Sequence, residues 1–335
     1  NRLDPSMSIM QGINAKIRKN PKRVIFAEGE DENMLKAAIE FGKNKLGIPI
    51  LIGAENRVKE QLKKIGLDEN YKIEIVNSTD KQKREKYVKH LYKKLQREGQ
   101  LERDVDRLVR NDRIAWGSSM IACKDADAMV TGNIRHYAAS IEKLKKVVNA
   151  RPGEEIFGMT MIVSKGKTIL VADTNVTELP SAERLINISK SCVRIARLFG
   201  FEPKVAFLSH STFGKPLSRN TRHVRDAIEK LKKEKVDFDF DGEMQPDVAL
   251  NPIYQEIYPF SKIVGKANVL IMPALHSAAI STKLMKVFGG GKNIGPLLIG
   301  LGQPIEVAPL RASTSEILNL ASIAAYSSDV IDYSN

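Results

Sequence analysis

Pro203-Lys204-Val205-Ala206-Phe207-Leu208-Ser209-His210-Ser211-Thr212-Phe213-Gly214-Lys215 opens on an apolar run and empties into small polar residues. Val205 to Leu208 reads as a short buried strand bounded by loop residues. The loop after it has the chemistry to hold a phosphate. Ser209, Ser211 and Thr212 carry hydroxyl donors, Gly214 lets backbone N–H groups come close, and Lys215 adds charge. A helix beginning near Ser218 is expected to turn its positive end to the same place. The same residues also suit a plain polar strand-to-helix turn, so the pattern leaves both readings open.

Outward from this loop, apolar runs alternate with amphipathic stretches. Strands are expected at 23–27, 49–53, 72–76, 128–132, 205–208, 269–272 and 296–300. Helices are expected at 32–45, 56–65, 82–97, 105–123, 138–149, 180–198, 219–235, 277–287 and 315–326. Repeated βα units imply a largely parallel sheet whose ligands bind at the carboxyl ends of the strands. One segment differs: 158–163 and 167–172 flank Ser164-Lys165-Gly166 and read as a β-hairpin. With Arg151-Pro152-Gly153 as a boundary signal, the chain is expected to form an α/β domain from 1–145 plus 293–335 and a second from 146–292.

The 335 residues, 42% apolar and 28% charged, describe an ordinary globular chain. No apolar run approaches the ~18 residues of a membrane span, and the first residues lack a signal-peptide core, so neither membrane nor export is expected. Cys123 and Cys192 are too few for a disulfide framework, which suits a cytoplasmic setting. The net charge of +13 fits a nucleic acid, a coenzyme A ligand or solubility alone. Tyr87, Leu91 and Leu95 recur at helical spacing beneath the Lys and Arg of 81–97, making those cations a solvated face and arguing against a nucleic-acid partner.

Several motifs are set aside. Asp237, Asp239, Asp241 and Gly242 imitate the start of a calcium loop, but its twelfth position is Val248. Gly289-Gly290-Gly291-Lys292-Asn293 follows a helix and reads as a helix-ending turn. The dinucleotide fingerprint is missing, so nicotinamide chemistry belongs elsewhere. Glu28, Glu30, Asp31 and Glu32 follow the first strand and are expected to cap the next helix or orient a basic partner. His136, His210 and His276 have no second ligand at metal spacing, and no metal is expected in this chain.

Leu208 to Gly214, then Asp241-Gly242-Glu243-Met244-Gln245, Ala267-Asn268-Val269 and Pro273-Ala274-Leu275 keep an order that resembles the phosphate acetyl/butyryl transferase (phosphotransacetylase) family, from about Arg23 to Ser327. Leu95-Gln96-Arg97, Arg107-Leu108-Val109, Asn111-Asp112-Arg113, Pro273-Ala274-Leu275-His276-Ser277 and Gly295-Pro296-Leu297-Leu298 narrow the likeness. They resemble the C-terminal, phosphotransacetylase-like half of long bacterial NADP-dependent malic enzymes. Asn1 in place of an initiator Met fits a chain cut from something longer, and equally a processed terminus.

The resemblance implies two α/β/α domains with mostly parallel sheets facing a cleft, the architecture of isocitrate and isopropylmalate dehydrogenases. It implies acetyl-CoA or CoA as ligand and a homodimer or higher homo-oligomer, with two-fold contacts through helices such as 190–198 and 315–326. It also implies an N-terminal malic enzyme domain in the same polypeptide, which would hold the NADP and the divalent metal. This chain itself is expected to bind no cofactor.

In the family an Asp near the C-terminus is the base, and a Ser-Arg pair upstream binds phosphate and polarises the carbonyl. Ungapped alignment through Gln303-Pro304-Ile305-Glu306 puts Glu316 on the Asp and Pro309-Leu310 on the Ser-Arg pair. Losing such a positioned group costs on the order of 3–4 kcal/mol of transition-state stabilisation. Arg311, one residue on, is the candidate stand-in. Other family positions also depart: Thr131-Gly132-Asn133-Ile134-Arg135-His136-Tyr137-Ala138 replaces a Ser-Thr-Ala loop, and Glu142 replaces an Arg. The scaffold expected to bind acetyl-CoA or phosphate consists of Asn133, Arg135, His136, Asp173, Asn175, Ser209, Ser211, Thr212, Gly214, Lys215, Pro273, His276, Ser277 and Lys283. The expected function is a catalytically silent, acetyl-CoA-binding regulatory and oligomerisation domain. The alternatives are a working phosphate acetyltransferase using Glu316 and Arg311, and an oligomerisation module without a ligand.

Overall fold

The computed structural model describes residues 5–68, 72–164, 166–217, 219–289 and 292–333. Lys165, Ser218, Gly290 and Gly291, which the sequence reading used, lie outside the described residues. In chain order the elements are α1 (Pro5–Lys19), β1 (Lys22–Phe26), α2 (Glu32–Lys43), β2 (Gly47–Ile52), α3 (Glu55–Lys64), β3 (Glu74–Val76), α4 (Lys81–Leu95), α5 (Glu102–Asn111), α6 (Arg113–Ala122), β4 (Ala128–Gly132) and α7 (Tyr137–Val147). There follow β5 (Phe157–Ser164), β6 (Lys167–Ala172), α8 (Ala182–Leu198), β7 (Lys204–Leu208), α9 (Arg222–Lys233), β8 (Asp239–Met244), α10 (Pro246–Leu250), β9 (Val269–Ile271), α11 (Leu275–Phe288), β10 (Lys292–Ile299), β11 (Ile305–Ala308) and α12 (Thr314–Val330). They form two compact units, Met10–Pro152 with Leu301–Asn335, and Gly153–Gly300 with Asn1–Ile9.

The first unit holds a parallel sheet in the order β11-β4-β1-β2-β3. Val24, Ile25 and Phe26 of β1 are fully buried, and β4 is buried at every position. Such uninterrupted apolar strands need cover on both faces. α2 and α12 pack together and against the sheet, while α4, α5 and α6 form a second group with α6 on β4. Right-handed crossovers put the two groups on opposite faces. Strand order reverses between β1 and β4, so the ligand-accepting crevice of this unit lies beyond their carboxyl ends.

Asp112 breaks the helix expected at 105–123. Its Oδ1 accepts from the N–H groups of Ile114 at 2.9 Å and Ala115 at 3.3 Å, ending α5 and capping α6. Tyr87 on α4 meets Trp116 on α6 edge to face, 4.9 Å between centroids, which seats these helices together.

The second unit holds a mixed sheet in the order β10-β5-β6-β9-β7-β8. β5 runs antiparallel to both β6 and β10, and the rest are parallel. The hairpin of β5 and β6 matches the expected one within a residue. The strand expected at 296–300 is longer and starts at Lys292, with Asn293 paired to Ile162 and Ile294 to Met161.

That pairing corrects the boundaries. Residues 293–300 belong to the second unit, and the chain returns to the first only at Leu301. At the other crossing, 146–152 stay in the first unit, because Ala150 bridges Leu301 and Gly302 donates to the Asn149 carbonyl at 2.8 Å. α1, α10, β8 and β11 are not among the strands and helices expected above. β8 carries Asp239, Asp241 and Glu243, and β11 carries a buried Glu306, so neither shows the apolar pattern of a strand. Among the described residues no helix is long and apolar enough to cross a membrane.

Candidate functional site

In the first unit the crevice end of the sheet is organised by Glu28, which follows β1 and is fully buried. Thr131 donates its hydroxyl to Glu28 Oε1 at 3.0 Å, Gly132 N–H donates to Oε2 at 3.0 Å, and Arg135 Nη2 lies 3.5 Å from Oε1. Burial pushes the Glu28 carboxyl up to about 7, against the opposing pull of Arg135, Thr131, Arg113 and the Gly132 N–H. Gly132 has φ +109°, and a Cβ there would sit 2.3 Å from the Ala308 carbonyl oxygen. Only glycine therefore lets β4 turn off beside β11.

The loop after β4 reaches back to α2. Asn133, left-handed at φ 66°, donates its side-chain amide to Asp31 Oδ1 at 2.6 Å, and Asp31 also caps α2 through Met34 N–H. Glu30 accepts from Ala54 N–H and pairs with Arg113 at 3.0 Å. The acids after β1 thus cap and bind cations. Asn133 Oδ1 and Arg135 Nη1 are buried with no hydrogen-bond partner among the described residues. His136 is exposed and stands at the start of α7 without capping it.

Arg311 donates its N–H to the Asn133 carbonyl at 2.9 Å, from a left-handed φ of 59°. Its side chain and that of Leu310 are exposed. Glu316 forms a capping box at the start of α12. Its Oε2 accepts from Ser313 N–H at 2.9 Å and from the Ser313 hydroxyl at 3.0 Å, while Glu316 N–H returns a bond to that hydroxyl. Arg311 thus meets the Asn133 loop through its backbone, and Glu316 is held in a helix cap.

In the second unit the loop after β7 differs from the open phosphate cradle the sequence suggested. Thr212 N–H donates to the Lys215 carbonyl at 2.9 Å and Lys215 N–H returns to the Thr212 carbonyl at 3.1 Å. Phe213 and Gly214 between them have φ of 49° and 85°, the two left-handed residues of a tight hairpin turn. Ser209 N–H is taken by the Met244 carbonyl and Phe213 N–H by that of Glu243. The backbone N–H groups of Ser209, Thr212, Phe213 and Lys215 are thus occupied by the protein itself.

The hydroxyls are occupied too. Ser211 donates to Glu243 Oε1 at 2.6 Å, which uses its one proton. Ser209, 2.9 Å away, must then donate to Ser211, and it also accepts from Ser211 N–H. Glu243 Oε1 lies 3.1 Å from Arg225 Nη1, so a fully buried acid closes the chain of donors against a cation. The sequence reading does not single out Arg225, and only the Asp-Gly-Glu motif marks its partner. The helix expected to aim its positive end at the loop begins only at Arg222, with no side-chain cap at Thr221.

Asp173 is likewise a loop organiser. Its Oδ1 accepts from Gly158, Asn175 and Val176 N–H groups at 2.9, 3.0 and 3.1 Å, and its Oδ2 accepts from Thr177 N–H at 2.8 Å. With 3% exposure it has no face left for a ligand. Asn175 is half-buried. The Pro273 carbonyl is bonded to His223 Nε2 at 2.8 Å, and Ser277 donates to the Ala274 carbonyl at 2.8 Å. Lys215, His276 and Lys283 are exposed.

A cavity of about 280 Å³ adjoins the Ser211–Glu243–Arg225 chain, lined by Phe213, Gly214, Arg225, Ile228 and Gly242 among others. Within each unit, then, the candidates divide. Ser209, Ser211 and Asp173 build loops, and Thr212 and Gly214 shape a turn. Asn133 and Arg135 keep buried polar atoms to offer.

The chain matches the phosphate acetyl/butaryl transferase family over residues 8–325. It is 42% identical to the NADP-dependent malic enzyme of Rhizobium meliloti over 97% of this chain, but that match spans only 43% of the relative. The phosphate acetyltransferase of Clostridium acetobutylicum is 30% identical over 95% of this chain and 97% of its own length. The crystal structure of a phosphotransacetylase from Streptococcus pyogenes superposes with a TM-score of 0.86 at 28% identity, covering 96% of this chain and 98% of that one. The chain therefore spans less than half the length of the malic enzymes it matches and nearly all of a shorter acetyltransferase, and it belongs to the phosphate acetyl/butaryl transferase family.

Proposed function

We propose that this chain is an acetyl-CoA-binding, catalytically silent regulatory domain of an NADP-dependent malic enzyme, and that it also assembles the parent as a homo-oligomer. One observation carries the reading. Where the resembling enzymes have a Ser-Arg pair, this chain has Pro309 and Leu310, and Leu310 is 44% exposed with no group to hold phosphate. Glu316, at the position of the base, has one oxygen occupied by two Ser313 donors. A bound ligand would supply the partners that Asn133 Oδ1 and Arg135 Nη1 lack. Exposed Lys215 and Lys283 are available to the phosphates of coenzyme A.

The parent's reaction, oxidative decarboxylation of malate to pyruvate, belongs to a malate-oxidising half that would hold NADP and a divalent metal. A cytoplasmic setting goes with that reading. Occupancy here would be reported by a difference in acetyl-CoA affinity between two states of the parent.

The test mixes this chain with acetyl phosphate and CoA, follows thioester formation, and titrates acetyl-CoA separately by calorimetry. Binding without turnover is expected. Turnover that Arg311→Ala or Glu316→Gln abolishes would make the chain a working acyltransferase instead, and a thermal midpoint indifferent to saturating acetyl-CoA would remove the ligand altogether.

A further inference from the structure

Glu28 stands at the crevice end of β1 against one cation and two neutral donors. Arg135 Nη2 lies 3.5 Å from its Oε1, the Thr131 hydroxyl 3.0 Å from the same oxygen, and Gly132 N–H 3.0 Å from Oε2. Charges on the neighbouring elements are engaged elsewhere. Arg113 on α6 pairs with Glu30 at 3.0 Å, Asp31 takes the Asn133 amide and caps α2, and Glu32 on α2 pairs with Lys36. On α12, Glu316 is held in its cap and Asp329 pairs with Lys22. The remaining acid, Glu306 on β11, lies across β4 from β1, opposite Val130. A fully buried carboxylate thus depends first on Arg135 to stay charged, and burial holds it up at about 7.

Arg135 is open to a second partner. Its side chain is 23% exposed, and Nη1 has no hydrogen-bond partner among the described residues. An anion that takes Nη1 shares the guanidinium charge with Glu28 and adds a like charge beside it. Both effects favour the neutral acid. We infer that an anion bound at Arg135 is bound together with a proton, which goes to Glu28 Oε1, so that acetyl-CoA is held more tightly at lower pH. The site accommodates either state. A hydroxyl accepts as well as donates, so Thr131 Oγ1 can turn and take the bond from a protonated Oε1, while Gly132 N–H stays on Oε2. The proton comes from solvent, and no bond of the ligand changes.

The inference rests on the ligand half of the proposed function. A bound charge that raises Glu28 by about one pH unit from about 7 takes up roughly 0.4 proton at pH 7. Affinity below about pH 6 then exceeds that above about pH 9 by roughly tenfold. Calorimetric titration of acetyl-CoA into the chain at pH 7, in two buffers of different ionisation enthalpy, measures the uptake. The wild type should take up about 0.4 proton more than Glu28→Gln, which subtracts any proton exchanged by the ligand's own phosphates. Should that variant misfold, infrared difference spectra of the wild type give a second readout, because the band of a protonated carboxyl should grow on binding. Equal uptake by the two proteins, or a carboxyl band that does not grow, overturns the inference and leaves acetyl-CoA binding standing. Acetyl-CoA that binds neither protein overturns both the inference and the ligand reading.

Discussion

Replacing Glu28 with Gln should remove a pH dependence that the first unit otherwise carries. In the unfolded chain this carboxyl titrates at its ordinary 4.5, and in the folded one at about 7, chiefly because it is buried. Below 4.5 both states hold the proton, between 4.5 and about 7 only the folded state does, and above 7 neither does. Folding is therefore favoured by the proton at low pH and loses that contribution as pH rises through the window. From 4.5 to about 7 at about 1.4 kcal/mol per pH unit, the full loss is about 3 kcal/mol. The Glu28→Gln variant has no proton to lose at this position, so the stability of the wild type minus that of the variant should fall by this amount between about pH 4 and pH 8. Urea unfolding followed by Trp116 fluorescence measures it, because Trp116 is the sole tryptophan and is 2% exposed inside the first unit. Parallel pH curves for the two proteins would refute the reasoning, and would mean that Arg135 and the two donors keep Glu28 ionised throughout.

Arg225→Met leaves Glu243 fully buried without its cation and should destabilise the second unit by about 3 kcal/mol; Arg225→Met with Glu243→Met should recover most of that in a double-mutant cycle. Asp173→Asn replaces an acceptor of four N–H groups with one that turns an amide on at least one of them, costing about 2 kcal/mol in urea unfolding. A fall in acetyl-CoA affinity at unchanged stability would instead restore Asp173 as a ligand residue. Ser313→Ala and Glu316→Ala should each lower stability by about 1 kcal/mol, and the double variant by little more than either, because the two form one capping box; full additivity would show that Glu316 acts outside the cap.

Much of the fold was legible because its signals are local. The 128–132 strand reads from five consecutive residues, the 158–172 hairpin from two runs flanking Ser164-Lys165-Gly166, and the capping of α2 from an Asp one residue before the helix. The elements that escaped break those local rules. β8 hides Asp241 and Glu243 by bonding them inside, and α5 and α6 look continuous until Asp112 turns its side chain onto the next N–H groups.

The order of motifs and the α/β alternation are written in the sequence itself, because each depends on residue identity and short spacing. Tertiary structure alone decided what the polar residues do. Ser209 and Ser211 look like phosphate donors from composition, yet their protons run to Ser211 and on to Glu243, 32 residues beyond Ser211, whose carboxylate also accepts from Arg225. A hydroxyl has one proton, and which acceptor takes it depends on strands brought together from distant parts of the chain. Likewise 277–287 reads only as a helix, and the fold decides which of its apolar residues are covered, burying Ala278 and leaving Ile280, Leu284, Val287 and Phe288 exposed.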